Sequence, residues 1–186
     1  MFIGRTQTDA PLTSSDITDG IISTAKIADD AVTAAKASFA PGKVLQIVQT
    51  TDNSAISLAK GAEYTDIRTA ITPSSSSNKI LILVTLGLVS SDGAADCGWT
   101  IKRDSTSLQL GTGGTDNSTY GAFLNQGASD AFNAAGTLLD SPSTTSEISY
   151  KVYAEPNTSR TFVINKRNSD NAQRVSSSMI LMEVAG

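Results

Sequence analysis

Residues 79–89 read Lys-Ile-Leu-Ile-Leu-Val-Thr-Leu-Gly-Leu-Val, and this run constrains the fold more than any other feature of the chain. No window of the sequence approaches the roughly 18 consecutive apolar residues that a membrane span needs. A short, almost unbroken apolar run bounded by polar residues instead reads as a strand covered on both faces. One face packs into a sandwich core. The other needs a second cover. A subunit interface supplies one, and a central place in a monomeric core is the alternative.

The sequence around this run has a period of two. Val44–Val48 is a first strand. Residues Ile67–Ile71 lead into Thr72-Pro73 and a polar loop, Ser74–Asn78. Trp99–Arg103 alternates, turns at Asp104-Ser105-Thr106 and returns through Ser107–Leu110. Tyr120–Leu124 and Gly136–Leu139 are weaker strands. Ile148–Tyr153 turns at Glu155-Pro156-Asn157-Thr158 and returns as Thr161–Asn165, and Val175–Val184 closes the chain. In the last strand Ile180, Met182 and Val184 alternate, which predicts a central rather than a frayed strand. About eight to ten short strands separated by turn signals predict an all-β sandwich or barrel. Interleaved helical segments are missing, which disfavours a parallel α/β sheet. The expectation is a Greek-key jelly roll over residues 42–186.

Upstream of Pro41-Gly42 the composition changes. Between Phe2 and Phe39 there is no aromatic residue, whereas Trp99 and all four Tyr lie downstream. Residues 1–41 contain a decapeptide repeat. Asp19-Gly20-Ile21-Ile22-Ser23-Thr24-Ala25-Lys26-Ile27-Ala28 is followed at once by Asp29-Asp30-Ala31-Val32-Thr33-Ala34-Ala35-Lys36-Ala37-Ser38. Ile21, Ala25, Ala28, Val32, Ala35 and Phe39 form a heptad-like seam. Gly20 and the β-branched pairs are poor for an isolated helix, so the arm is either extended or partly helical. Its apolar stripe is too thin for one chain to bury, and several copies wrapped together would cover it.

Composition removes whole classes of chemistry. The chain has no histidine, which excludes Ser-His-Asp and Cys-His catalysis and His-ligated metals together. Its single cysteine, Cys97, can form neither an intramolecular disulfide nor a structural zinc site, and is read as a small buried apolar residue. Gly111–Gly114 lacks the Gly-Lys-Ser/Thr of a phosphate loop. Asp92-Gly93-Ala94-Ala95-Asp96 and Asn168-Ser169-Asp170-Asn171 carry oxygen ligands, but their spacing fits no EF-hand. No pair of carboxylates stands out for glycoside hydrolysis. No catalytic, cofactor-binding or metal residue is therefore assigned, and no cofactor and no enzymatic activity are expected.

Net charge is −4, and the 14 Lys and Arg are scattered, with Lys166-Arg167 the tightest basic pair. No basic stripe tracks a phosphate backbone, so nucleic acid is not an expected partner. Met1–Thr6 lacks the basic and apolar regions of a secretory signal. The expectation is a soluble protein made in the cytoplasm, without membrane insertion.

The decapeptide repeat resembles the shaft repeats of phage fibre proteins. Ile71-Thr72-Pro73-Ser74-Ser75-Ser76-Ser77-Asn78-Lys79-Ile80-Leu81-Ile82, Ser149-Tyr150-Lys151-Val152-Tyr153 and Ser176-Ser177-Ser178-Met179-Ile180-Leu181-Met182-Glu183-Val184 resemble the knob modules that end such proteins. Those knobs are similar to the jelly roll of the tumour-necrosis-factor and complement families. The resemblance implies a homotrimer located in the virion and assembled in the host cytoplasm. It implies an arm, residues 1–41, that anchors to tail or capsid proteins, and a knob, residues 42–186. The implied role is a short tail fibre contacting a host-surface receptor or glycan, with a purely architectural head fibre, capsid decoration or tail adaptor as the alternative. Ser90–Gly98, Gly111–Thr119 and Asp140–Ser146 are the candidate contact loops.

Overall fold

The computed structural model describes residues 42–108, 111, 120–125, 130–156, 160–169 and 173–186. The arm with its repeats lies outside the described residues. So do Thr112–Thr119 of one candidate loop, Gln109 and Leu110, Asn157 and Thr158, and Asp170-Asn171 of the second calcium candidate.

Among the described residues there are eleven strands: β1 Val44–Asp52, β2 Ile56–Leu58, β3 Thr69–Ile71, β4 Lys79–Ser91, β5 Ala95–Arg103, β6 Thr106–Leu108, β7 Gly121–Asn125, β8 Phe132–Asp140, β9 Ile148–Pro156, β10 Phe162–Ile164 and β11 Ser177–Val184. A single 3-10 turn, Thr65–Ile67, precedes β3. One sheet runs β1-β11-β4-β10-β2, with β8 also paired to β4; the other runs β3-β9-β5-β6, with β7 also on β5. All these pairs are antiparallel. The long strands therefore lie in the orders β1-β11-β4-β8 and β3-β9-β5-β7, each sheet mixing early and late strands as in a jelly roll. The described residues form an all-β sandwich.

The core lies between the sheets. Ile80, Ile82, Val84 and Leu86 of β4 meet Met179 and Leu181 of β11 and Phe162 of β10 in the same sheet, with Trp99, Ile101, Tyr150 and Val152 from across the sandwich, all essentially inaccessible. Burying a large apolar side chain of this kind contributes about 1.5–3 kcal/mol over leaving it exposed. Arg103 of β5 and Tyr150 of β9 tie the layers together. Both bond Asp140 of β8, Arg103 through Nη1 at 2.9 and 2.7 Å and the Tyr150 hydroxyl at 2.7 Å.

A second polar knot holds the place where β10 stops and β11 begins. Asn165, at φ 62°, adopts a left-handed conformation that asparagine tolerates better than most residues. Its amide donates to Asp52 O (3.1 Å), Ser54 O (3.1 Å) and the Tyr64 hydroxyl (2.8 Å), and its carbonyl accepts from Ser177 Oγ at 2.7 Å. Ser177 Oγ in turn accepts the Gly87 N–H at 3.0 Å. The register between β4 and β8 shifts at Gly87, between Leu86 and Leu88. A Cβ there would stand 2.8 Å from Asn165 Oδ1 and 2.9 Å from Ser176 O, so only glycine fits this bulge.

Two sequence expectations need correction. β9 does not turn at Glu155-Pro156. Both residues stay in the strand, opposite Gly98 and Cys97 of β5. Proline is tolerated there because it is the last position, where a missing N–H interrupts no further ladder. Nor is β10 the hairpin partner of β9, since it crosses to the other sheet and pairs with β4 and β2. In β11, central as expected between β1 and β4, the inward face is Ser177, Met179, Leu181 and Glu183; Ile180, Met182 and Val184 face outward.

Candidate functional site

Directly opposed residues in an antiparallel ladder share a face, and the registers therefore define the outer surface of the first sheet. Ile47, Met182, Leu81 and Leu139 form one straight row across β1, β11, β4 and β8. The next row is Gln49, Ile180, Leu83 and Thr137, and the one after it is Thr51, Ser178, Thr85 and Ala135. None of these twelve residues is charged. Lys79, opposite Val184, stands at the edge of the set. Ile47 is 60% exposed and Leu139 49%, while Met182, Leu81, Ile180 and Leu83 are half-buried. A row of large apolar side chains crossing four strands is a contiguous patch, unlike the scattered exposed hydrophobics of an ordinary surface.

The outer face of the second sheet has the opposite character. Lys102 and Lys151 oppose each other there, and Glu155 opposes Gly98. The Lys102 ammonium lies 3.9 Å from the centre of the Tyr153 ring. Glu63 accepts from the Tyr153 hydroxyl at 3.0 Å and from Arg68 Nε at 2.6 Å. Burial, then the Glu63 carboxylate beside it, raises the Tyr153 phenol above its ordinary value. This face is built for water, and the first is not.

On the inner side of the apolar rows sits a charge. Glu183 of β11 is fully buried. Asn78 Nδ2 donates to its Oε1 at 2.5 Å, Ser74 N–H and Ser74 Oγ each at 2.7 Å, and Gln46 Nε2 to its Oε2 at 2.6 Å. Asn78 Oδ1 also accepts the Gly186 N–H at 3.2 Å. Burial alone would raise this carboxyl, but the hydrogen bonds from Asn78, Gln46 and Ser74 outweigh it and hold it below its ordinary value. The Ser74–Asn78 run, a polar loop in sequence, is thus the clamp that fixes the β3–β4 connection against β11. Asp52 follows the same pattern. Burial raises it, and bonds from Tyr64 and Ser54 bring it below normal.

The structure separates the candidate contact loops. Asp140–Ser146 lies at the end of the sandwich where β8 finishes and β9 starts, together with Gly42, the 72–78 loop and Gly186. Asp92–Ala94 lies at the opposite end, where β4 passes into β5. These two do not form one tip. Nor is Ser90–Gly98 a loop: Ser90, Ser91 and Ala95–Gly98 are strand, and Ser90, Ser91, Cys97 and Gly98 are buried. Of the third candidate only Gly111 is described. Cys97 is buried as expected, and burial first, with Asp92 and Asp96 nearby, pushes its thiol up to about 11.

Among the described residues no three His, Cys, Asp or Glu side chains gather as a metal site. Asp92 Oδ1 accepts the Thr161 N–H at 3.1 Å. The row Ile47–Met182–Leu81–Leu139 was only partly visible in the sequence. The continuous apolar run of β4 signalled it, while Ile47 and Leu139 carried no signal of their own. Comparison with protein-family models and with curated proteins finds no match for this chain.

Proposed function

We propose that this chain is a virion structural protein, a short phage tail fibre whose sandwich is the knob of a homotrimer. The observation that carries the reading is the uncharged outer face crossed by Ile47, Met182, Leu81 and Leu139. Four strands spaced about 4.8 Å apart and eight residues long at about 3.4 Å each project about 500 Å². Corrugation raises the accessible area towards the roughly 800 Å² per partner of a stable interface. A second copy of the chain is the fitting occupant, because the same face recurs on every copy and closed symmetry buries it on all of them. Three copies follow from the resemblance to knob modules, and the decapeptide repeats support a shaft-like arm attaching to tail or capsid proteins.

In this reading the chain enters the knob at Gly42, whose N–H bonds Ala185 O at 2.8 Å. The opposite end, with Ala59–Ala62, Asp92–Ala94 and Arg160, then points away from the particle and touches the host surface. The decisive experiment has two arms. Immunogold labelling locates the protein on the particle, and antibodies against the knob are tested for blocking adsorption. Tail labelling with blocked adsorption is expected. Labelling of the head with adsorption intact would overturn the receptor role and leave the architectural one.

A further inference from the structure

The tightest basic pair in the sequence, Lys166-Arg167, acquires a third cation in the fold. Between β10 and β11 the chain leaves the sheet, and in that excursion Lys166 pairs across an isolated antiparallel bridge with Arg174. Residues so opposed lie on one side of the ladder with their Cβ atoms about 4.5–5.5 Å apart, and two like charges placed there repel. Neither Lys166 nor Arg174 forms an ion pair with another described residue. The repulsion therefore goes uncompensated within the described chain. Residues 160–174 hold four cations and one acid, in a chain of net charge −4.

Arg174 also lines a depression of about 420 Å³ with Asn53, Val175 and Ser176. A smaller one of about 190 Å³, lined by Thr51, Asp52, Asn53 and Ser176, shares two of those residues. The larger falls in the range of about 300–1,000 Å³ common for small-ligand sites. Its surroundings divide into two chemistries. One side offers Arg174, whose fork suits a carboxylate or phosphate in two-point contact, with Lys166 beside it as its bridge partner. The other offers the Ser176 hydroxyl and the Asn53 amide, and the smaller depression adds the Asp52 carboxylate; these groups suit sugar hydroxyls. The Asp52 carboxylate would repel a dense polyanion but accept a hydroxyl.

We propose that Lys166 and Arg174 are the anion-recognising part of a site for an acidic oligosaccharide, with Asn53 and Ser176 meeting its hydroxyls. This rests on the host-surface reading above and adds to it the class of receptor: a surface glycan bearing isolated carboxylate or phosphate groups. Thr51, which lines the smaller depression, is itself the β1 member of the polar third row of the association face, so the site is open in a trimer only if that margin stays uncovered.

Calorimetric titration of the full-length protein tests it. The probes are a galacturonate oligomer, a glycerol-phosphate oligomer, a neutral galactose oligomer of equal length and a short DNA duplex. The Lys166→Gln/Arg174→Gln double variant is titrated alongside and sedimented. Binding of one or both acidic oligomers is expected, weakened by salt as exposed charge contacts are. It should fall on the order of tenfold or more in the double variant, since each lost charged hydrogen bond is substantial. Which acidic oligomer binds identifies carboxylate or phosphate as the anion. Absence of binding by both, equal binding of the neutral oligomer, unchanged binding in the variant, or duplex DNA binding as tightly would each overturn the proposal. So would dissociation of the double variant's oligomer, which would assign the cations to assembly. Adsorption blocked by antibodies with no glycan binding would overturn this inference alone, leaving the receptor role in place.

Discussion

Glu183 and Asn78 stand 105 residues apart in the chain, yet Asn78 Nδ2 donates to Glu183 Oε1 at 2.5 Å inside the sandwich. The bond joins the start of β4 to the end of β11, and Ser74 and Gln46 complete a shell of neutral donors around the carboxylate. No described cation pairs with it. The charge is tolerated because every donor points at it, and the same arrangement makes the site intolerant of change.

Replacing Glu183 with Gln keeps the shape but turns one acceptor oxygen into a donor facing the donors of Ser74, Asn78 or Gln46. The expected loss is about 2 kcal/mol or more, read as a lower midpoint in urea unfolding. The acid response changes as well. The folded carboxyl lies below its ordinary value of 4.5. Its contribution is therefore complete above that value and is lost as pH falls through the depressed folded value. The wild type should lose stability steeply below about pH 4.5, and Glu183→Gln should flatten that slope. An unchanged acid slope would show that the carboxylate contributes nothing to it.

At alkaline pH the tyrosines give the opposite sign. Burial, then the hydrogen bond to Asp52, raises the Tyr64 phenol, and burial with Asp140 raises that of Tyr150. Unfolded phenols ionise near 10, so above that pH the unfolded state releases protons that the native state retains. Stability is complete below about pH 10 and falls as pH rises towards the folded values. Tyrosinate absorbance should show Tyr64 and Tyr150 titrating only when the chain unfolds. Smooth titration of all four tyrosines in the folded protein would contradict this.

Gly136 tests the packing between the sheets. A Cβ at this position of β8 would overlap the Tyr120 and Trp99 rings, whose centres lie 5.0 Å apart with their planes tilted by 53°. The Tyr120 hydroxyl is also fixed to the same strand, donating to Thr137 O at 2.7 Å and accepting the Thr137 N–H at 2.9 Å. Gly136→Ala should cost about 1–3 kcal/mol by overpacking. Trp99 is the only tryptophan, so its fluorescence reports the shift directly.

What the sequence showed of this fold tracks what periodicity can express. β4 and the central place of β11 were legible because both strands carry long alternating or continuous apolar runs. The inward face of β11 was not, because its outward set, Ile180, Met182 and Val184, is more apolar than its inward set with Ser177 and Glu183. Hydrophobicity points to the wrong side when a buried charge is satisfied by loop donors far away in sequence. The full length of β8 was hidden because Asn133, Ala134 and Ala135 are a weak strand sequence ahead of Gly136, whose missing side chain leaves room for two rings. The β9–β10 hairpin was misread because Glu155-Pro156 looks like a turn in isolation, and a crossing between sheets leaves no local signature. The outer apolar row was half-legible: Leu81 and Leu83 announced an apolar second face, whereas Ile47 and Leu139 join them only through register.

Ile47 is the most exposed large apolar side chain among the described residues, at 60%. It supports no core contact that a charge would break, so Ile47→Glu should leave the unfolding midpoint of the knob within about 0.5 kcal/mol of wild type. Placed in the row with Met182, Leu81 and Leu139, the same charge should break the assembly. A variant that unfolds would instead show that Ile47 serves the sandwich itself.

Sedimentation velocity of the purified full chain tests the account most directly. The predicted result is one species at three times the 19.3 kDa chain mass, reduced to the chain mass by Ile47→Glu. A wild-type protein that sediments as a stable monomer would contradict the account.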